Sequence, residues 1–543
     1  MMKRINCLLP LMAFISLYTN AQIYNNGATI TVTNNALVFC QGNFQNASGT
    51  VTNDGRIEVQ GNFDNAGTYN TTTANDSLIM SGGSAATLNS GASSITNLTI
   101  NKSAGIKVAL AGNTQVLGKL DYQQGILTTN PLTTTFVLSS PVAAVYNFSA
   151  GREIVGRVKR TGWANGNTVI FNHPNMQVTT NGGTAPGDIT VNMIPQSEGG
   201  DPTQAEKEMK RFYKFSVTGG SGFTSNARLP YNTTEADDVN IEANLVPWKL
   251  NGSEWVARLN NYSLNTANDY VDVNSIPADT LLQEWKLADP YYSVNLNAIL
   301  RGAWNSTTGA MNTTLNTAGI IPLSQPYNVA PFNYAGTETV GSIPNANVVD
   351  WVLLEVRKPA SGAAADAGST TIIGRTAAFL LSNGDIVDIN GLSKPKLPFY
   401  KQGSGNYLVV RHRNHLGVMS NLPVATNATL ANDFRILSSV YKSSSAASDP
   451  VSTLTSSTNY GMWTGDAAGT TGAGSVNISD LNAIKAAIAN SLTGYARQDV
   501  NLSNSINTSD LNLVKLTIAT SGSTSTPLRV SDEKRDVKSS LPE

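Results

Sequence analysis

The hexapeptide Gln41-Gly42-Asn43-Phe44-Gln45-Asn46 returns nineteen residues later as Gln60-Gly61-Asn62-Phe63-Asp64-Asn65, and a Gly/Asn turn and another short run follow each copy. A unit this short cannot bury its own apolar side chains and must stack on the next copy, as the coils of a β-solenoid do. The alternating runs Ala28-Thr29-Ile30-Thr31-Val32, Ile57-Glu58-Val59, Leu98-Thr99-Ile100, Ile106-Lys107-Val108 and Leu120-Asp121-Tyr122 carry the rhythm onward. The expectation for residues 22–160 is a parallel β-helix-like solenoid, with an antiparallel meander as the alternative. The basic stretch from Arg152 to Thr161 reads as a last rung or a junction.

Composition agrees with a mainly β chain. Charged residues make up 13% of the 543, about half the ~25% usual for soluble domains. Asn, Thr, Ser and 46 Gly keep the surface wet instead and favour short strands and tight turns. With 36 Lys+Arg against 37 Asp+Glu, the net charge of -1 removes any whole-chain electrostatic case for nucleic acid or an anionic membrane. Two cysteines, Cys7 and Cys40, provide neither a disulfide framework nor a zinc cluster; Cys40 reads as a small buried residue.

Lys3 and Arg4, an apolar stretch over residues 8–17 and Thr19-Asn20-Ala21 form the pattern of a secretory signal peptide over residues 1–21. The mature protein is therefore expected to be secreted, extracellular or on the outer cell surface. No later run is long and apolar enough to predict a membrane span.

Strands of five to eight residues between turn signals predict one β-sandwich over 161–290, with a short helix from Gln204 to Arg211, and a second over 291–441. A flexible linker is expected at 442–460 and a disordered tail at 523–543. Between them, at 461–522, lies a duplicated unit. The segment from Val476 to Ala489 returns thirty residues later from Ile506 to Ala519, with eight of fourteen positions identical. Each copy reads as a loop entering an amphipathic helix, with its Ser-Asp pair as the cap.

The loop before the second helix superposes on a twelve-residue calcium loop. Asp499, Asn501 and Ser503 take positions 1, 3 and 5, Ser505 offers a carbonyl at 7, and Asp510 closes at 12. Asn504 stands at the usual glycine position, where Asn tolerates a left-handed backbone. In the first loop Asp466 precedes Asp480 by fourteen positions, three more than the pattern requires. Capped turns without metal are the alternative for both loops.

These paired loop-helix units resemble dockerin type I modules over Thr464 to Thr520. The resemblance implies a small α-helical module, Ca2+ held in the loops and a cohesin-like partner protein. It also places partner recognition at Thr508 and Ser509, and in part at Ile478 and Ser479. The preceding module, with Asp350-Trp351-Val352-Leu353-Leu354-Glu355-Val356-Arg357 and the run from Val409 to Met419, looks like one recurring in adhesin-like surface proteins of bacteria with type IX secretion.

His412 and His415, with Arg411 and Arg413, make the densest cationic spot in the chain. Three residues apart on a strand they are expected on opposite faces, with no carboxylate within five residues, so a strand-end polar cluster is expected rather than a metal pair. Sugar or anion contact is the functional alternative. Asp54, Glu58, Asp64, Asp76 and Asp121 are scattered through the solenoid and read as solvated surface rather than a polysaccharide-cleaving pair. The expected function is an adhesive or structural surface protein, non-enzymatic and in contact with surface proteins or glycans. The alternative is a carbohydrate-active enzyme, or its accessory subunit, recruited to a polysaccharide-degrading complex.

Overall fold

The structure is a computed structural model that describes residues 21–71, 75–129, 136–195, 208–236, 241–426, 430–443, 449–469 and 475–520. The expected signal peptide and C-terminal tail lie outside these residues, apart from Ala21. The chain is mainly β and begins with a β-solenoid of about six turns. It divides into two compact units: residues 1–200, 213–230 and 274–282 form the first, and 201–212, 231–273 and 283–543 the second. The stretch read as one sandwich over 161–290 is thus shared between them.

In the first unit the repeat sets the register. Parallel pairing aligns Ile23 with Phe44, Phe44 with Phe63, Phe63 with Leu88 and Leu88 with Leu110. A second inward column runs Val38, Ile57, Leu78, Leu98, Leu120 and Tyr146. The Phe44 and Phe63 rings stack at 5.4 Å, and Tyr69 meets Phe63 edge-on at 5.6 Å. At each of these positions the strand period of two turns one side chain into the coil and the next out to water.

The repeated asparagines form a buried ladder. Asn25 Nδ2 donates to Asn46 Oδ1 at 2.8 Å, Asn46 Nδ2 to Asn65 Oδ1 at 2.7 Å, and Asn65 Nδ2 to the Ser90 carbonyl at 3.0 Å. Each amide thereby gives a proton to the next rung, so a polar column inside the coil is satisfied without water. Gly67 packs against this column: a Cβ there would lie 2.7 Å from Asn46 Nδ2. Cys40 is buried, as expected of a small apolar residue, and its Sγ donates to the Asn43 carbonyl at 3.2 Å. Asp76, read as surface, is buried; its backbone carbonyl accepts from Asn97 Nδ2 at 2.6 Å.

The basic stretch closes the coil. The strand Ile154–Thr161 pairs in parallel with Leu138–Pro141 on one side and antiparallel with Asp188–Ile194 on the other. Arg160 is 2% exposed and sits over the Tyr146 ring at 4.2 Å. Its guanidinium donates to the carbonyls of Ile170, Pro141, Val142 and Ala144 at 2.7–3.1 Å. Those donations satisfy carbonyls of the last turn, where parallel stacking gives way to the antiparallel strand.

In place of the helix expected at Gln204 to Arg211, a strand runs Glu208–Thr218. Met209, Arg211, Tyr213 and Phe215 alternate inward along it, a period of two that overrides helical propensity; residues 201–207 lie outside the described set.

The second unit centres on an antiparallel sheet. Its order is Ile386–Val387, Ile372–Leu381, Val348–Arg357, Tyr407–Arg411, Val418–Met419. All ten residues of the central strand are buried. Its polar members are therefore paired internally: Glu355, fully buried, lies 2.6 Å from Arg357, 3.1 Å from Arg411 and 3.4 Å from Arg375. Part of the stretch read as a linker is built in, since Val451–Thr453 pairs with Tyr460–Met462 and Met462 donates its N–H to the Ile299 carbonyl at 2.7 Å.

Candidate functional site

The two helices expected from the duplication are present as Ile478–Ala489 and Thr508–Thr520. Their caps lie earlier than the Ser-Asp pairs. Asn477 Oδ1 accepts from Ser479 N at 2.8 Å while Asp480 Oδ2 accepts from Asn477 N at 2.8 Å. The second copy repeats this with Asn507, Ser509 and Asp510 at 2.8 and 2.9 Å. Each helix thus starts with a reciprocal capping box in which Asp is the returning member. The inner faces, Leu481, Ile484 and Val514, pack with Leu416, Trp463, Val476 and Val500. On the outside Ile478 is 62% exposed and Leu516 45%. Thr508 and Ser509 are exposed as well, and Ser479 is half-buried.

The second loop brings its five expected oxygen donors into one turn. Asp499 accepts the N–H of Ser503 on Oδ1 at 2.9 Å and that of Asn504 on Oδ2 at 2.8 Å. Asn501 Oδ1 also accepts from Ser503 N, at 3.1 Å, and Ser503 Oγ donates to the Ser505 carbonyl at 3.1 Å. Asn504 takes the left-handed conformation, with φ of 64°. Asp510 receives Val500 N at 2.9 Å and Asn501 N at 3.2 Å on Oδ1. Asp499 and Asp510 are both fully buried. Burial pushes both carboxyls above their ordinary value, and the Asp510 charge adds to the effect on Asp499. Two neighbouring buried carboxylates with an amide, a hydroxyl and a carbonyl fit a hard cation. Among the described residues no group of three or more His, Cys, Asp or Glu is arranged for a metal.

The first loop differs. Asp466 Oδ2 lies 3.1 Å from the Arg497 guanidinium, so a fixed cation already stands against it. Asp480 accepts the N–H groups of Ala467 and Ala468 at 2.7 and 2.9 Å. Residues 470–474 of this loop lie outside the described set.

The sequence reading missed how the histidine segment is used. The strand Tyr407–Arg411 ends before His412, so period-two alternation no longer separates the rings, and His412 Nδ1 comes to 3.1 Å from His415 Nδ1. The carboxylate is Asp350, 62 residues upstream, whose Oδ2 lies 3.1 Å from His412 Nε2 and 3.0 Å from Arg413 Nε. His415 Nε2 accepts the Gly302 N–H at 3.1 Å, which places the His415 proton on Nδ1 and the His412 proton on Nε2, both rings neutral. Tyr495 donates its hydroxyl to Asp350 Oδ1. Asn414 Nδ2 donates to the carbonyls of Arg497 and Asp499 at 3.0 and 2.8 Å, and Arg413 donates to that of Ala496. The cluster therefore fastens the first residue of the second loop to the central sheet.

Burial would raise the Asp350 carboxyl, but the Arg413 charge and the His412 hydrogen bond outweigh it and hold the group at about 2. Burial lowers both histidines, and for His415 the neighbouring His412 and Arg413 add to it. Unfolded histidines take up a proton near pH 6.5, while these remain neutral in the fold. Stability is thus full above that pH and falls as pH drops below it. Asp350 loses its contribution only below about pH 4, and the raised loop carboxyls act in the opposite sense. We expect melting temperatures measured from pH 8 to 5 to fall progressively below pH 6.5; a flat profile would contradict the neutral histidine pair.

A separate depression of about 260 Å3 in the second unit is lined by Tyr291, Tyr334, Tyr400, Thr337, Glu338 and Arg375, among others. Tyr334 donates to Glu338 Oε1, which also accepts Ala377 N at 3.0 Å. Glu338 Oε2 is buried with no donor among the described residues.

No family model matches this chain, and searches of curated proteins and of solved structures return no match.

Proposed function

We propose that the chain is a secreted, non-catalytic surface protein of adhesive or structural role, which docks to a protein partner through its C-terminal loop-helix pair. The observation that carries this reading is the outer face of that pair. Ile478 and Leu516 are exposed on helices whose inner faces are already packed. Apolar side chains left outside on a duplicated helix pair suit a partner surface. The solenoid would present its Asn/Thr-covered coil as a scaffold for multivalent contact.

Asp499, Asn501, Ser503, Ser505 and Asp510 would hold calcium, whose charge would offset that of the two buried carboxylates. Binding to the folded state alone stabilises it by mass action, about 2.7 kcal/mol at a hundredfold excess over Kd. Calorimetric titration of the whole chain is expected to show saturable uptake, with a melting temperature that drops on chelation. Asp499→Ala should abolish both effects. Docking is tested on the producing cells: the wild type should stay cell-associated and the Ile478→Asp/Leu516→Asp variant should appear in the medium at unchanged calcium uptake. Equal release of both would remove the docking reading.

The second reading, an accessory subunit on polysaccharide, draws on the tyrosine-lined depression with its unsatisfied Glu338 oxygen. Three aromatic hydroxyls and one acceptor suit a sugar. Two-carboxylate hydrolysis needs a partner acid about 5 to 9.5 Å away, and Glu338 is the one carboxylate among the residues lining the depression.

A further inference from the structure

We propose that the outward sheet face at the end of the solenoid binds the acidic groups, carboxylate or sulfate, of an anionic polysaccharide. Arg157 and Lys159 lie two residues apart on Ile154–Thr161 and so share a face. Antiparallel register sets Arg157 opposite Asn192 and Lys159 opposite Thr190. Lys214 and Ser216 project outward from Glu208–Thr218, where the alternate residues Tyr213 and Phe215 are buried. All six line one depression of about 370 Å3.

Three cations converge here in a chain whose net charge is only -1. Lys159 is half-exposed and lies 3.4 Å from Asp188. The Arg157 guanidinium has no acceptor among the described residues, while its backbone N–H donates to Thr129 Oγ1 at 2.7 Å. A guanidinium held on a strand is ready for two parallel hydrogen bonds to an oxyanion.

Asn192 narrows the ligand class. It is 9% exposed, lines the depression, and its Oδ1 is buried with no hydrogen-bond donor among the described residues. A ligand that meets both Arg157 and Asn192 must carry an anionic group and a hydrogen-bond donor close together. Acidic sugars do, pairing a carboxylate or sulfate with ring hydroxyls, and Thr190 and Ser216 extend the same hydroxyl recognition. Single-stranded nucleic acid is disfavoured because no aromatic ring lines the depression on which a base would stack.

The test is binding of the whole chain to immobilised polygalacturonate, dextran sulfate, neutral dextran and single-stranded DNA, each at rising sodium chloride. The expected result is retention on polygalacturonate or dextran sulfate, the better of the two identifying the acidic group, with affinity falling as salt rises and no retention on neutral dextran. Arg157→Gln/Lys214→Gln should weaken binding about tenfold or more, at an unchanged melting temperature. Asn192→Asp should weaken it by repulsion, and Lys485→Gln, which does not line the depression, should bind as wild type. The proposal is overturned by no retention at low salt, by wild-type affinity in the double variant, or by tighter binding to DNA than to either polyanion.

Discussion

Asp350→Ala is expected to destabilise the second unit by about 3–5 kcal/mol, the range for removing one partner of a buried ion pair. The substitution leaves the Arg413 guanidinium buried beside Tyr495, whose ring it covers at 4.1 Å, without its carboxylate. It also strips His412 of its acceptor and Tyr495 of the oxygen it donates to. Asp350→Asn keeps the shape and one acceptor, so its loss should be smaller. Chemical denaturation of both variants measures the difference, and hydrogen exchange should show lost protection first around residues 495–500, which this cluster fastens. A loss below about 1 kcal/mol for Asp350→Ala would mean that the cluster holds nothing together.

Phe63→Ala should cost a similar amount, about 3–5 kcal/mol, by the cavity it leaves. Phe63 is fully buried, stacked on Phe44 below and touched edge-on by Tyr69. The effect should remain local, because each coil contacts mainly its neighbours. Thermal unfolding followed by calorimetry is expected to move a solenoid transition downward and leave the second unit's transition in place. A uniform shift of one cooperative transition would show instead that the two units unfold together.

The solenoid was legible because its repeat places like residues directly over one another: Phe44 over Phe63 and Asn46 over Asn65 already stand as matching letters in the two hexapeptides. The helix pair was legible for the same reason, as two copies of one helix start. The fastening cluster was not. Its acid lies 62 residues from His412 and 145 from Tyr495, and local spacing holds no information about contacts at that range. The histidine pair was misplaced because the alternation rule was carried past the end of its strand at Arg411, and Asp76 because an isolated acid reads as surface unless its rung is known. Arg160 was seen only as part of a basic stretch; its role depends on four carbonyls, of Pro141, Val142, Ala144 and Ile170, that the fold gathers around it.

The end of the parallel stacking lets the solenoid serve as a ruler. Successive coils are one strand spacing apart, about 4.8 Å, and from Asn25 through Asn46 to Asn65 the Asn ladder joins one coil to the next through the same amide-to-amide contact. Inserting one more nineteen-residue copy between Asn46 and Asn65 would repeat an existing contact, lengthen the stack by that single increment and leave the Arg160 cap unchanged. Reach along the coil axis is therefore a matter of copy number, adjustable without redesign of either end.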